Sequence, residues 1–83
     1  MALSIEWTDE ARADIRALDR TTAMQIFDGL YRYAVSGVGD VKALKSQHAG
    51  KLRLRLGGYR IFFTSDGKLL RILTVRNRAE AYR

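Results

Sequence analysis

Three arginines stand close together in the segment KLRLRLGGYRIFF, residues 51–63, where a β-hairpin would bring them onto one surface. Leucine and arginine alternate up to a glycine pair that favours a two-residue hairpin turn. With such a turn, Arg55 lies opposite Arg60, and Arg53 then lies opposite Phe62. Because like charges that face each other across a sheet cost from a few tenths to about 1 kcal/mol, this pattern calls for a functional reason.

The chemistry of the guanidinium group suggests that reason. Arginine stays protonated and presents its N–H donors in a planar fork that matches two phosphate oxygens, and it also stacks on nucleobases. Arg53, Arg55 and Arg60 therefore predict a phosphate-binding surface. The same fixed cations would stabilise negative charge that develops on a phosphorus centre during a reaction.

The C-terminal segment TVRNRAEAYR adds a second basic and aromatic group. Its contributions to a nucleic-acid site are Arg76, Arg78, Tyr82 and Arg83. Cations for the backbone and a ring for a base are what single-stranded nucleic acids require. The face on which Arg76 lies depends on the second hairpin turn. A three-residue loop over residues 66–68, or a bulge after Leu73, places it beside the other arginines, whereas a loop of two or four residues places it on the core side.

Positive charge is concentrated in the second half of the chain. Residues 1–41 hold four arginines against seven acidic residues, whereas residues 42–83 hold eleven lysines and arginines against two acids. This asymmetry, within a net charge of +6, is typical of proteins that bind a polyanion. We expect Lys42, Lys45 and Lys51 to extend the phosphate-binding surface.

Patterns along the chain predict one α+β domain over residues 1–83. The segment LSIEW alternates like a short first strand, and two amphipathic helices follow as an αα-hairpin. Thr8 is the expected N-cap of the first helix, and Thr21 or Thr22 that of the second, which ends near Gly37.

Three strands are predicted after a loop over residues 37–50, at about residues 51–56, 59–65 and 69–75. The predicted order is β-α-α-β-β-β, with one antiparallel sheet and the helical hairpin packed on one face. The side chains expected to face the helices from the first hairpin are Leu52, Leu54, Leu56, Tyr59, Ile61 and Phe63.

Residue types that serve other kinds of catalysis are scarce. The chain has no cysteine, and His48 is its only histidine, so we expect no metal site and no other cofactor. The N-terminus lacks the pattern of a signal peptide, and the apolar runs are only a few residues long. We therefore expect a cytoplasmic protein without membrane contact.

The order of these segments resembles the RelE/ParE toxin superfamily of bacterial type II toxin–antitoxin systems. The resemblance covers nearly the whole chain and rests on VKALK, LRLRLGGYRIFF, DGKLLRILTV and RNRAEAY. It implies the compact, microbial RNase-like fold of RelE-like toxins. It also implies a ribosome-dependent mRNA endonuclease that inhibits translation, in which the ribose 2′-OH attacks the adjacent phosphate in the ribosomal A site without a metal ion.

The resemblance also implies roles for single residues. Arg53, Arg55 and Arg60 would bind the phosphate and stabilise its charge. Arg76 would stabilise the transition state or protonate the leaving oxygen, and Tyr82 would stack on or orient the RNA.

RelE itself has lysines where this chain has its first two arginines. Because arginine stays protonated, neither of them can accept a proton from the 2′-OH. The candidates for a general base are Tyr82, water or a ribosomal group, with His48 and Glu80 outside the main set.

The same resemblance implies partners. A cognate antitoxin protein would neutralise the toxin in a hetero-oligomer, and the ribosome and mRNA would be the targets. Two other functions stay open at this point. One is a ParE-like inhibitor of DNA gyrase with the same fold, and the other is a non-catalytic basic RNA-binding module.

Overall fold

The computed structural model describes residues 3–45 and 50–77, which form two helices and five strands. In chain order the elements are β1 (Ser4–Trp7), α1 (Asp9–Arg16), α2 (Arg20–Ser36), β2 (Asp40–Ala43), β3 (Leu52–Leu56), β4 (Tyr59–Ser65) and β5 (Leu69–Asn77). The predicted α+β class, with a helical hairpin ahead of the main strands, is confirmed.

The strands form one mixed sheet in the order β1-β5-β4-β3-β2. Strands β2 to β5 pair antiparallel, as predicted, but β1 runs parallel to the first half of β5, from Ser4 opposite Leu69 to Trp7 opposite Ile72. A parallel pair needs a long connection between its strands, and the helical hairpin together with β2–β4 supplies one. The alternation in β1 predicts a strand but carries no information about its direction.

Strand β2 lies in a segment for which the sequence predicts a loop. It pairs with β3 at the edge of the sheet, with Val41 opposite Leu54. Val41 is half-buried, whereas the other three residues of the strand are exposed. A single inward apolar residue is too weak a pattern to predict a strand. Residues 40–43 are extended because they pair with β3.

Local capping explains where the helices begin and end. Thr8 is the N-cap of α1, as predicted, and its hydroxyl accepts a hydrogen bond from the Ala11 amide at 3.2 Å. The N-cap of α2 is Asp19, whose carboxylate accepts from the Thr22 amide at 3.1 Å, so the predicted threonine cap was wrong. Hydrogen bonds from the Thr22 hydroxyl and amide lower the pKa of Asp19. An ionised carboxylate at this position also complements the helix dipole, which favours Asp19 over the threonines.

The core lies between the two helices and one face of the sheet. Its buried side chains are Ala11, Ile26, Leu30, Ala34, Leu54, Ile61, Phe63, Leu70, Ile72 and Val75. The predicted inward face of the first hairpin is confirmed: three of its six residues are fully buried, and Leu52, Leu56 and Tyr59 pack against the core. Helix α2 approaches β3 closely at Gly29, where a side chain would collide with Leu56.

Candidate functional site

The arginines predicted from the sequence meet on the outer face, which is the face of the sheet turned away from the helices. Arg55 lies opposite Arg60, and Arg60 lies opposite Arg76, so three adjacent strands present one guanidinium each. We call Arg55, Arg60 and Arg76 the arginine row. Directly opposed residues have Cβ atoms about 4.5–5.5 Å apart, close enough for all three to surround one phosphate group. Asp40 stands at the β2 end of this row, opposite Arg55.

A second line of side chains crosses the outer face one step further along the strands. Lys42 lies opposite Arg53, Arg53 opposite Phe62, and Phe62 opposite Thr74. Arg53 therefore belongs to the neighbouring line rather than to the arginine row. Within the described residues, neither Arg53 nor Arg55 forms an ion pair or a side-chain hydrogen bond.

A β-bulge in β5 decides the position of Arg76. The last antiparallel pair before the second turn is Ser65 with Leu70, which leaves a four-residue loop. That loop alone would place Arg76 on the core side. The register shifts at Leu73, which has no partner in β4, and Arg76 then falls opposite Arg60. Of the alternatives that the sequence leaves open, the bulge is the one the structure contains.

Helix α1 holds the bulge through side chains. The Thr8 hydroxyl lies 2.8 Å from the carbonyl oxygen of Ile72 and 3.1 Å from that of Leu73, and it donates to these acceptors. The amide of Val75 donates to the Asp14 carboxylate at 2.9 Å. These contacts satisfy backbone groups of β5 beyond the point where β1 ends. Side chains of Thr8 and α1 therefore supply the hydrogen bonds that a neighbouring strand would otherwise make.

The same helix provides the acidic partners of Arg76. Glu10 Oε1 lies 3.1 Å from Arg76 Nη2, and Asp14 Oδ1 lies 3.7 Å from Nη1. Glu10 and Asp14 are four residues apart and therefore share one face of the helix. Sequence reasoning missed both carboxylates. Their spacing was visible in the sequence, but nothing there indicated that this helix face meets the end of β5.

A cavity of about 260 Å³ opens beside the arginine row. The described residues that line it are Leu44, Lys51, Phe62, Leu73, Thr74 and Arg76. Half of these residues are apolar and two are cationic, so the cavity can take a flat apolar group that carries a negative charge nearby. The sequence identified most of these positions separately, but the cavity depends on the bulge and could not be predicted.

The remaining predicted site residues fall in different places. Lys42 extends the line of Arg53, and Lys51 lines the cavity. Lys45 is exposed beyond the end of β2 and does not line the cavity. The other predicted positions, Arg78, Tyr82, Arg83, His48 and Glu80, lie outside the described residues, so their roles stay predictions.

Two other kinds of site can be checked within the described residues. No three aspartate or glutamate side chains among them come together as a metal-binding group. Neither helix in the described part of the chain is long and apolar enough to cross a membrane.

Residues 5–82 match the model of one protein family, described as the ParE toxin of the type II toxin–antitoxin system parDE. The chain belongs to this family. The membership of the RelE/ParE superfamily predicted from the sequence is thereby confirmed, and the protein is a toxin of the type II class. No curated protein matches this ParE-family chain.

Solved structures of the superfamily share the fold. The toxin–antitoxin complex RelBE2 from Mycobacterium tuberculosis contains a chain with a TM-score of 0.85 and 22% identity, over 94% of this chain and all of that one. A chain of the RelB–RelE complex from Methanococcus jannaschii has a TM-score of 0.74 and 20% identity, over 93% and 94% of the two chains. A chain of the YoeB dimer from Staphylococcus aureus has a TM-score of 0.73 and 21% identity, over 92% of this chain and 97% of that one.

Proposed function

We propose that this ParE-family toxin cleaves mRNA on the ribosome by attack of a ribose 2′-OH on the adjacent phosphate. The arginine row is the observation that carries the proposal. Three guanidiniums at neighbouring positions of one sheet form a site for a phosphate group and for the extra charge of a phosphorane.

In the proposed reaction, phosphorus exchanges its bond to the 5′-oxygen for a bond to the 2′-oxygen. The 2′-oxygen bonds to the phosphate as its proton passes to a base, the bond to the 5′-oxygen breaks, and that oxygen takes up a proton from water. The products are a 2′,3′-cyclic phosphate and a 5′-OH end. The arginine row, Arg76 included, would bind the non-bridging oxygens and stabilise the extra negative charge of the transition state.

The carboxylate of Glu10 is the structural candidate for the proton acceptor. Arg76 holds it beside the arginine row, and its side chain is 61% exposed, so a bound RNA can reach it. Asp14 is less suitable, because its carboxylate already accepts the Val75 amide and its side chain is only 19% exposed. Glu10 joins Tyr82, water and a ribosomal group as a candidate, and it is the member of this set whose contacts the structure describes.

A partner antitoxin is part of the proposal. The similar structures from Mycobacterium tuberculosis and Methanococcus jannaschii are toxin–antitoxin complexes. The basic outer face would attract an acidic segment of such a partner. Co-expression with its cognate antitoxin should restore growth and give a complex on gel filtration, and two separate peaks would contradict this part of the proposal.

Inhibition of DNA gyrase is the second candidate, and the family match favours it. The matching family is that of ParE toxins, and an arginine row without lysines suits binding better than proton transfer. In this case the outer face would hold nucleic acid or an acidic protein surface without cutting it.

One experiment separates the two candidates. The purified toxin is added in parallel to a translated message, read by primer extension, and to a gyrase supercoiling reaction. We expect breaks at ribosomal A-site codons that require the ribosome, and no effect on supercoiling. The double variant Arg60→Ala, Arg76→Ala should give no breaks while keeping the wild-type circular dichroism spectrum. An intact message together with trapped gyrase–DNA complexes would overturn the endonuclease and establish the alternative.

A further inference from the structure

The cavity beside the arginine row has features that phosphate binding alone does not use. Phe62, Leu73 and Leu44 give it apolar walls, although it opens onto a strongly basic face. An apolar wall adds nothing to the binding of a phosphate group, which needs only cations and N–H donors. The cavity therefore fits a ligand with an apolar ring as well as a charge.

The bulge builds this cavity and places Arg76 at its edge. Along β5, Ile72 and Val75 face the core, and the two residues between them, Leu73 and Thr74, both line the cavity. In a regular strand one of these two side chains would face the core. The extra residue thus gives the outer face one more apolar side chain, directly beside a phosphate-binding arginine.

The other residues of the lining determine where an aromatic ring and a negative charge of a ligand would lie. Phe62 lies opposite Thr74, so an aromatic face and a hydroxyl border the same space. Among the described residues of the lining, Thr74 is the one neutral hydrogen-bonding side chain, and Lys51 and Arg76 are the two cations. A volume of about 260 Å³ is below the usual range for drug-sized ligands, and it suits a single base rather than a whole oligonucleotide.

We propose that this cavity binds one nucleobase of the RNA, stacked on Phe62, while the phosphate next to that base lies on the arginine row. The proposal rests on the RNA-directed function proposed above and adds a site that selects the base. Leu73 forms the wall beside the ring, and Thr74 contacts the edge of the base by hydrogen bonding. A base held there places its own phosphate within reach of Arg76, so base binding and phosphate binding reinforce each other.

The test uses 2′-O-methyl dinucleotides of the four bases as probes, because the methyl group prevents cleavage. Binding to the full chain is followed by NMR, through the ring signals of Phe62 and the methyl signals of Leu73 and Thr74. We expect all three to shift with the dinucleotides, to different extents for different bases. Inorganic phosphate should leave them in place.

Two variants at one position isolate the stacking contribution. Phe62→Leu keeps an apolar side chain without a ring and should weaken dinucleotide binding about 10-fold, whereas Phe62→Tyr keeps the ring and should bind as the wild type does. Phe27→Leu is the matched control, because Phe27 is an aromatic residue on α2 with 39% exposure and lies outside the cavity. It should leave the affinity unchanged.

The outcomes distinguish the base site from the proposed function. Dinucleotides that shift the Phe62 signals while a translated message stays intact would support the base site and overturn the endonuclease. Cleavage that persists with equal rate and base preference in Phe62→Leu would overturn the base site alone. Nuclear Overhauser effects between the Phe62 ring and residues 78–83 that persist at saturating dinucleotide would also overturn the base site, because the chain itself would then fill the cavity.

Discussion

The two halves of strand β5 differ in what holds them in place. In the first half, Leu69–Ile72, β1 pairs along one edge, and β4 pairs along the other edge from Leu70 onward. In the second half, Leu73–Asn77, β4 continues but β1 has ended, and helix α1 supplies Thr8 and Asp14 instead. We call these the regular half and the bulged half.

Each half carries one arginine paired with a glutamate. Arg71 Nε lies 3.0 Å from Glu6 Oε1 in the regular half, and Arg76 Nη2 lies 3.1 Å from Glu10 Oε1 in the bulged half. The two pairs are nearly equal in length and exposure, yet only Arg76 lies in the arginine row. Local geometry of an ion pair therefore does not distinguish a structural arginine from a candidate for function.

The difference lies in the backbone beneath the two arginines. A ladder fixes the direction of every side chain along it, because each residue has one partner and the faces alternate. Side-chain anchors fix only the backbone groups that they bind, which leaves room for an extra residue. The bulged half can thus turn three side chains outward within four positions, and bulges are common beside active sites for this reason.

The largest effect that we expect comes from removing the arginine of the bulged half. Arg76→Ala should lower the cleavage rate about 10²- to 10³-fold, as the loss of one group that stabilises transition-state charge does. Arg71→Ala is the matched control, and its cleavage rate should stay within a factor of about two of the wild-type rate. The ion pair of Arg71 with Glu6 is exposed and lies outside the arginine row. Cleavage of a translated message at saturating toxin provides the rates, and equal losses in the two variants would remove the functional distinction between the halves.

Removing the anchor of the bulge should give the next largest effect. Thr8→Val deletes the cap of α1 and the hydrogen bonds to the Ile72 and Leu73 carbonyls, so we expect a loss of about 1–2 kcal/mol in the free energy of unfolding. Thr22→Val is the control, since its hydroxyl bonds only within the first turn of α2 and should cost about 0.5 kcal/mol.

Urea unfolding provides both values for this pair of variants. The activity should also fall more in Thr8→Val than its stability explains, because Arg76 loses its fixed position. An activity that follows the folded fraction would show that the bulge does not depend on Thr8.

The two acidic residues of α1 that contact Arg76, Glu10 and Asp14, should differ in their contribution to stability. Asp14→Ala leaves the Val75 amide without its acceptor in a half-buried position, which should cost about 1–3 kcal/mol of unfolding free energy. Glu10→Ala removes only an exposed ion pair and should cost less than about 0.5 kcal/mol. If urea unfolding gives the same loss for both, Asp14 acts through its charge rather than as an anchor of β5.

The smallest effect concerns pH and the turn that begins the regular half. Hydrogen bonds from the Lys68 and Leu69 amides hold the pKa of Asp66 below its ordinary value of 3.8. Because the folded-state pKa is the lower one, the contribution of Asp66 is complete above about pH 5 and is lost as the pH falls through 3.8 towards the folded-state pKa.

The variant Asp66→Asn separates this titration from the turn itself. Its side-chain oxygen can accept the same two amides but does not ionise. Between pH 6 and pH 3, urea midpoints of the wild type should fall more than those of the variant. Parallel curves would mean that Asp66 does not contribute to acid sensitivity.

The sequence predicts most of what local patterning controls. The two-residue turn at Gly57 and Gly58 places every residue of the first hairpin, and the observed pairing of Arg55 with Arg60 follows from that turn alone. The helices follow from apolar spacing, except that Asp19 rather than a threonine is the N-cap of α2.

Contacts between distant segments account for what could not be predicted. The residues that bond to the backbone around the bulge, Thr8 and Asp14, lie more than sixty positions away from their partners in β5. No local pattern shows that Leu73 is the extra residue, since Ile72, Leu73 and Val75 are all compatible with a core position. The partnership of Glu10 with Arg76 and the cavity follow from the bulge, so they were equally beyond prediction.

The bulge also affects how this chain should be aligned with other proteins. The four-residue turn alone would place Arg76 on the core face of the sheet. The extra residue at Leu73 moves every later residue of β5 to the opposite face, so Arg76 lies on the outer face. A relative with a different turn length and no bulge could place its arginine at the same point in space with a different spacing in sequence. Ungapped alignment would then match Arg76 to the wrong residue, so comparisons of this segment need to follow the strand pairing.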